Sequence, residues 1–336
     1  MERDTVSMHF VGAAVARLPP AARRRALEAA GIREELLGSP QARVPAQAFS
    51  ALWLAVAREL DDEFFGLDRR RMKIGSFALL CHAVLPSGHL ERALRQMLRG
   101  FGVFLDDVSA ALSLQDGAAV VTLDNRIADP EARRFADETL LVMVHGLASW
   151  LAGRRLPLQA AEFAHPAPAH AAEYAVMFAQ RVAFGAAATA IRFDAGLLAA
   201  PVVQDEAALK AFLRVAPQSV FLKYKNEEGW TARLRRRLRS SVGQEDWPVL
   251  EDVARELHVA PTTLRRRLEA EGSSYQGVKD ELRRDVAIHQ LCTTRLGIAE
   301  IGHLVGFQDP SAFHRAFKKW CGVQPGEYRA RQSGPP

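Results

Sequence analysis

Along the first hundred residues, apolar side chains recur at three-and-four spacing. "AARRRALEAAG" (21–31) reads as a short helix stopped by Gly31. In "AQAFSALWLAVAREL" (46–60), Phe49, Leu52, Trp53 and Val56 form one stripe. "GHLERALRQMLRGFGVFL" (88–105) repeats the pattern with Leu90, Ala93, Leu94, Met97 and Leu98. The period then shortens. "SAALSLQDGAAVVTLD" (109–124) alternates on both sides of Asp116-Gly117, which predicts a β-hairpin. A helix is expected over 131–152, then a strand in "LQAAEFAHPAP", a short helix in "HAAEYAVMFA", and two short strands in "RVAFGAAATAIRFD". This order predicts an α+β domain over residues 1–200, with helices plus a small antiparallel sheet. Residues 201–228 are expected to link it to an all-α domain over 229–332. The linker opens on "PVVQDEAALKAFLRVAPQS", which is polar, partly helical and closed by proline.

The all-α third contains a repeat. "VARELHVAPTTLRRRL" (253–268) aligns with "IGHLVGFQDPSAFHRAF" (301–317). Val253 matches Ile301, Leu257 matches Val305 and Val259 matches Phe307. After one residue of offset in the turn, Leu264 matches Phe313, Arg266 matches Arg315 and Leu268 matches Phe317. Each copy is a short amphipathic helix, a tight turn and a second helix that starts at a proline, Pro261 or Pro310. Two helix-turn-helix subdomains are therefore expected, at about 250–268 and 298–318. Between them, "SYQGVKDELRRDVAIHQLCTT" (274–294) reads as a long helix able to act as a rigid spacer.

Charge sharpens the picture. Residues 1–230 hold 26 Lys+Arg and 26 Asp+Glu, whereas 231–336 hold 18 and 13, so the whole formal +5 lies in the last third. A neutral body with a basic tail domain predicts a polyanionic partner for the tail. In the second helix of each repeat, Leu264 and Leu268, or Phe313 and Phe317, face the core. The opposite sides carry Thr262, Thr263, Arg265 and Arg266 in one copy and Ser311, His314, Arg315 and Lys318 in the other. Arginine can bond a guanine edge at two points, and hydroxyls can reach bases or phosphates. These eight residues are the candidate DNA contacts. For Thr262, Thr263 and Ser311 a helix-capping role is an equal alternative. The arginine run 233–239 fits a solvated helix face or a phosphate contact.

"GIAEIGHLVGFQDPSAFHRAFKKWCGVQPGEYR" (297–329) resembles the second half of the AraC/XylS DNA-binding domain: Ile-Ala, Gly-Phe, Ser-x-Phe-x-Arg-x-Phe-Lys, then Pro-x-x-Tyr-Arg. Gln324 departs from the Thr or Ser usual before that proline, which implies local loosening of the last turn. "VAPTTLRRRLEAEGSSYQGV" (259–278) is similar to one subgroup of the family. "GSFALLCHAVLPSGHLERALRQM" (75–97) and "EFAHPAPAHAAEYAVMFAQRVAFGA" (162–186) are similar to that subgroup's front module, named arabinose-binding. The resemblance implies a cytoplasmic, one-component transcription regulator, expected to be an activator. It would bind double-stranded DNA and an unidentified small-molecule effector, pair as a homodimer, and contact RNA polymerase.

Other classes find little support. No phosphate loop, Gly-x-Ser-x-Gly elbow, His-Glu-x-x-His or cysteine metal box is present. No catalytic residue, cofactor or metal site is therefore expected. The three cysteines, Cys81, Cys292 and Cys321, read as incidental thiols, and no apolar run reaches the ~18 residues of a membrane span. Phe77, Cys81, His82, Phe101, Phe104 and Trp150 fit either a pocket lining or plain core, and His145 fits the core. Two rival readings are a ligand-independent DNA-binding protein whose front domain only dimerises, and an enzyme domain fused to a DNA reader.

Overall fold

Strand β1 (Thr5–Ser7) pairs antiparallel with β2 (Arg43–Pro45), and this two-stranded ribbon brackets helices α1 (Met8–Val15) and α2 (Pro20–Ala29). The structure, a computed structural model, describes residues 5–39, 42–179, 181–217, 220, 230–244, 246–270 and 273–333. After β2 come α3 (Ala46–Leu60), α4 (Ser76–Val84) and α5 (Leu90–Phe104); the apolar stripes of α3 and α5 are buried as their spacing predicts. Gly31 sits at φ 65° just past the end of α2, where a side chain would be strained.

The hairpin forms from β3 (Val108–Gln115) and β4 (Ala118–Asn125). Asp116 and Gly117 both take positive φ, as the favoured two-residue turn requires. Helix α6 (Pro130–Leu151) follows, started by the Asp129 carboxylate, which accepts from the backbone N–H of Glu131 and Ala132. It is buried almost throughout, from Phe135 to Leu151. His145 lies inside it, with Nε2 2.8 Å from the Leu156 carbonyl oxygen, as a core histidine. Strand β5 (Leu158–Phe163), helix α7 (Ala172–Met177), and strands β6 (Val182–Phe184) and β7 (Ala190–Asp194) complete the front domain. The sheet order is β3-β4-β7-β5-β6. The α+β class is as expected, but the sheet is not wholly antiparallel, because β5 and β6 run parallel with α7 as their crossover. Phe77, Cys81, Phe101 and Trp150 are plain core.

The expected linker begins as packed structure. Val203 N–H donates to the Leu151 carbonyl at 2.9 Å, and the Gln204 amide to that of Trp150 at 2.6 Å. Helix α8 (Glu206–Arg214) buries Leu209 and Phe212, and Phe212 stacks on Trp150 at 4.4 Å. Residues 218–219 and 221–228 of the expected linker lie outside the described residues.

The back domain is helical: α9 (Trp230–Arg239), α10 (Leu250–Glu256), α11 (Pro261–Ala270), α12 (Tyr275–Thr293), α13 (Ile298–Leu304), α14 (Pro310–Cys321) and α15 (Pro325–Ser333). Its core is split. Leu234, Leu238, Trp247, Val253, Leu264 and Leu268 form one cluster with the front half of α12. Ile288, Ile301, Phe313, Phe317 and Tyr328 belong instead to the core that runs on into the front domain.

Candidate nucleic-acid interface

Each helix-turn-helix turn is closed the same way. The Gly306 N–H donates to His303 at 2.8 Å and the Phe307 N–H to Gly302 at 2.9 Å; His258 to Arg255 (3.1 Å) and Val259 to Ala254 (3.0 Å) repeat this in the first copy. These paired bonds satisfy carbonyls at the end of the first helix and need a left-handed residue. Gly306 supplies it at φ 77°, His258 at φ 54°. A second reason fixes the glycine: a Cβ on Gly306 would stand 2.4 Å from the Trp247 ring. The Arg283 guanidinium seals this corner, 5.0 Å from the Trp247 centroid, 4.7 Å from that of Phe307, and 3.0 Å from the Gly306 carbonyl.

The turns launch α11 and α14. In α11, Leu264 and Leu268 are fully buried, while Thr262, Arg265 and Arg266 are exposed and Thr263 is half-buried. Arg267, the third of the run, turns inward, with its guanidinium 4.1 Å from the Trp230 ring centroid. In α14, Phe313 and Phe317 are buried and Ser311, Arg315 and Lys318 exposed. Asp309 caps α14, accepting from the Ser311 and Ala312 N–H at 2.9 and 3.0 Å. Those backbone bonds, with the nearby Arg315 charge, hold its carboxyl below the usual range. Arg315 stands 3.6 Å from Asp309 with its side chain 73% exposed.

His314 is placed differently from its neighbours. It is half-buried, with Nδ1 3.1 Å from the Gln324 Oε1. Gln324 thus ties α14 to the start of α15, where the sequence implied only a looser turn. The arginine run of α9 is largely intramolecular: Arg235 pairs with Asp285 at 2.7 Å, and Arg237 forms a two-point pair with Glu256.

Helix α12 runs between the two motifs and packs on α9, α13 and α15. Its 19 residues span about 28 Å at 1.5 Å per residue. Successive major grooves on one face of B-DNA lie roughly 34 Å apart. Helices α11 and α14 each expose cations and hydroxyls opposite a buried apolar stripe.

Residues 21–202 match the family model for the arabinose-binding domain of the AraC transcription regulator, and 253–331 match a helix-turn-helix domain model. The ornithine utilization regulator of Pseudomonas aeruginosa is 32% identical over 308 residues, covering 91% of this chain and 90% of its own. A helix-turn-helix-type transcriptional regulator of Mycobacterium tuberculosis is 31% identical over 308 residues, covering 88% and 87%. The urease operon transcriptional activator of Escherichia coli is 34% identical over 95 residues, covering 28% of this chain and 32% of its own. Among the described residues no helix is long and apolar enough to cross a membrane.

Proposed function

The chain belongs to the AraC family of transcription regulators, and from that premise we propose that it reads an operator with α11 and α14 in neighbouring major grooves. One observation carries this reading: the two helices bury matched apolar stripes and expose matched arginines, Arg266 and Arg315, on the same repeat position. In this reading Arg266 and Arg315 contact bases, and Arg265, Thr262, Thr263, Ser311 and Lys318 contact bases or backbone. His314, held by Gln324, orients the helix as much as it touches DNA. The front domain binds a small molecule and supports pairing of two chains, and the effector's differential affinity for two arrangements sets activation.

The test is footprinting of the intergenic DNA beside the gene, followed by binding titrations across salt. Arg315→Ala is expected to cost about 1–3 kcal/mol and to relax preference at one base pair. Lys318→Ala is expected to weaken all sequences alike and to reduce the salt slope. Equal loss on every sequence for Arg315→Ala would reassign it to phosphate. For the effector, the ornithine utilization regulator supplies the first compound: ornithine, scored by a rise in the full chain's melting temperature.

A further inference from the structure

Three ionisable side chains, distant in sequence, meet inside the front domain. His9 stands in α1, Glu138 midway along α6, and His170 just before α7. One nitrogen or oxygen from each lies within 4.8 Å of the others, the one such His/Cys/Asp/Glu group among the described residues. Glu138 is 1% exposed, and the His170 side chain is 15% exposed. The His9 Nε2, Glu138 Oε2 and His170 Nε2 are all buried without a hydrogen-bond partner. The His9 and His170 rings stack at 3.4 Å between centroids, 24° from parallel.

A plain hydrogen-bonded cluster does not explain these positions. The His170 Nε2 is 3.8 Å from the Glu138 Oε1, beyond hydrogen-bonding reach. Three orphaned polar atoms in one buried spot are costly unless something satisfies them together. Zinc-type bonds of about 2.0–2.2 Å place the ligands of a tetrahedral site roughly 3.3–3.5 Å apart. The observed separation therefore needs only a small side-chain rotation to close around an ion.

We propose that His9, Glu138 and His170 form a site for one divalent transition-metal ion of the zinc class, with water completing the coordination. Two imidazoles and one carboxylate select such an ion over magnesium or calcium, which want oxygen ligands. The Tyr174 hydroxyl donates to the Glu138 Oε1, fixing the carboxylate from behind and leaving Oε2 for the ion. The site adjoins the contact between domains: Glu173, three residues after His170, pairs with Arg43 at 2.6 Å, Arg43 donates to Thr5, and Thr5 donates to Asp285 of the back domain at 2.9 Å.

The proposal stands apart from DNA reading, because its readout is ion uptake. Chelator-treated full-length protein is titrated with Co²⁺, followed by its visible ligand-field absorption, and with Zn²⁺, followed by melting temperature. One equivalent is expected, with the intensity of a four-coordinate site and a higher melting temperature. Glu138→Gln and His170→Gln should each weaken uptake at least tenfold, and Tyr174→Phe should weaken it about tenfold while keeping the spectrum. If the variants do not fold, the wild-type titration decides. No saturable uptake by wild type, or undiminished uptake by folded Glu138→Gln, overturns the site.

Discussion

At the residue scale, the two helix-turn-helix copies answer the same backbone demand differently. Gly306 and His258 occupy equivalent positions, and both are left-handed. Gly306 is required twice over, by its φ and by the Trp247 ring that a Cβ would strike. Gly306→Ala should therefore destabilise by about 2–4 kcal/mol, combining left-handed strain with overpacking. His258 carries only the strain, so His258→Gly should stabilise by about 1 kcal/mol. Urea unfolding of both variants checks the pair; a neutral Gly306→Ala would mean that Trp247 and Arg283 move aside cheaply. The turn glycine and the exposed Arg266 and Arg315 were legible in the sequence, because the repeat aligns them. The role of Gln324 was not, since its partner His314 is known only once α15 is folded back. His9, Glu138 and His170 were invisible for the same reason: they share no local spacing of the kind a metal motif has.

At the element scale, periodicity carried far. The stripes of α3 and α5, the Asp116-Gly117 hairpin and the second helix of each repeat all follow from side-chain spacing. What failed to show were three-residue elements. The β1–β2 ribbon is too short to have a period, and the short strand β6, though expected as a strand, gave no sign of its parallel pairing with β5; tertiary pairing alone selects both. Helix α14 illustrates how a single element serves fold and reading together. Asp309 starts it through backbone bonds and also stands beside Arg315. Asp309→Asn keeps an equally good cap but removes the acid from the reading face. DNA affinity should rise about two- to fivefold at low salt, the size of one exposed ion pair. Binding titrations across salt read this out, and an unchanged affinity would show that the Asp309 charge is not felt by DNA. Its depressed carboxyl adds stability present above the unfolded-state pKa and lost as pH falls through the folded one, a loss the Asn variant should not show.

At the scale of the whole molecule, the two reading motifs are unequally attached. The first owns a separate core, while the core of the second is continuous with that of the front domain. The joint has a polar centre. Asp285, in α12, accepts from Arg235 at 2.7 Å and from Thr5 of β1 at 2.9 Å, with Arg284 at 3.2 Å. Arg43 donates to the same Thr5 at 2.8 Å, and the Tyr328 hydroxyl reaches back to the Arg43 carbonyl. Burial opposes ionisation of Asp285, but the guanidiniums of Arg284, Arg235 and Arg43 outweigh it and hold the carboxyl below the usual range. Because the folded pKa lies below the unfolded value of about 3.9, the stabilisation is complete above that pH. It is lost as pH falls through the folded pKa. Asp285→Asn removes the carboxylate that Arg235 and Arg284 pair with, while Arg43 keeps Glu173, a loss of about 3–5 kcal/mol for a broken buried pair. Thr5→Val removes one bond between the domains and should cost about 1 kcal/mol. Denaturant unfolding at a series of pH values, followed by tryptophan fluorescence, compares the three proteins. The gap between wild type and Asp285→Asn should be widest near neutrality and close on acidification. The Thr5→Val deficit should change less with pH, since Asp285 keeps its guanidinium partners. A constant gap for Asp285→Asn would mean that its charge does not hold the joint, and the front domain would then grip the second motif through apolar packing and neutral hydrogen bonds such as that of Tyr328.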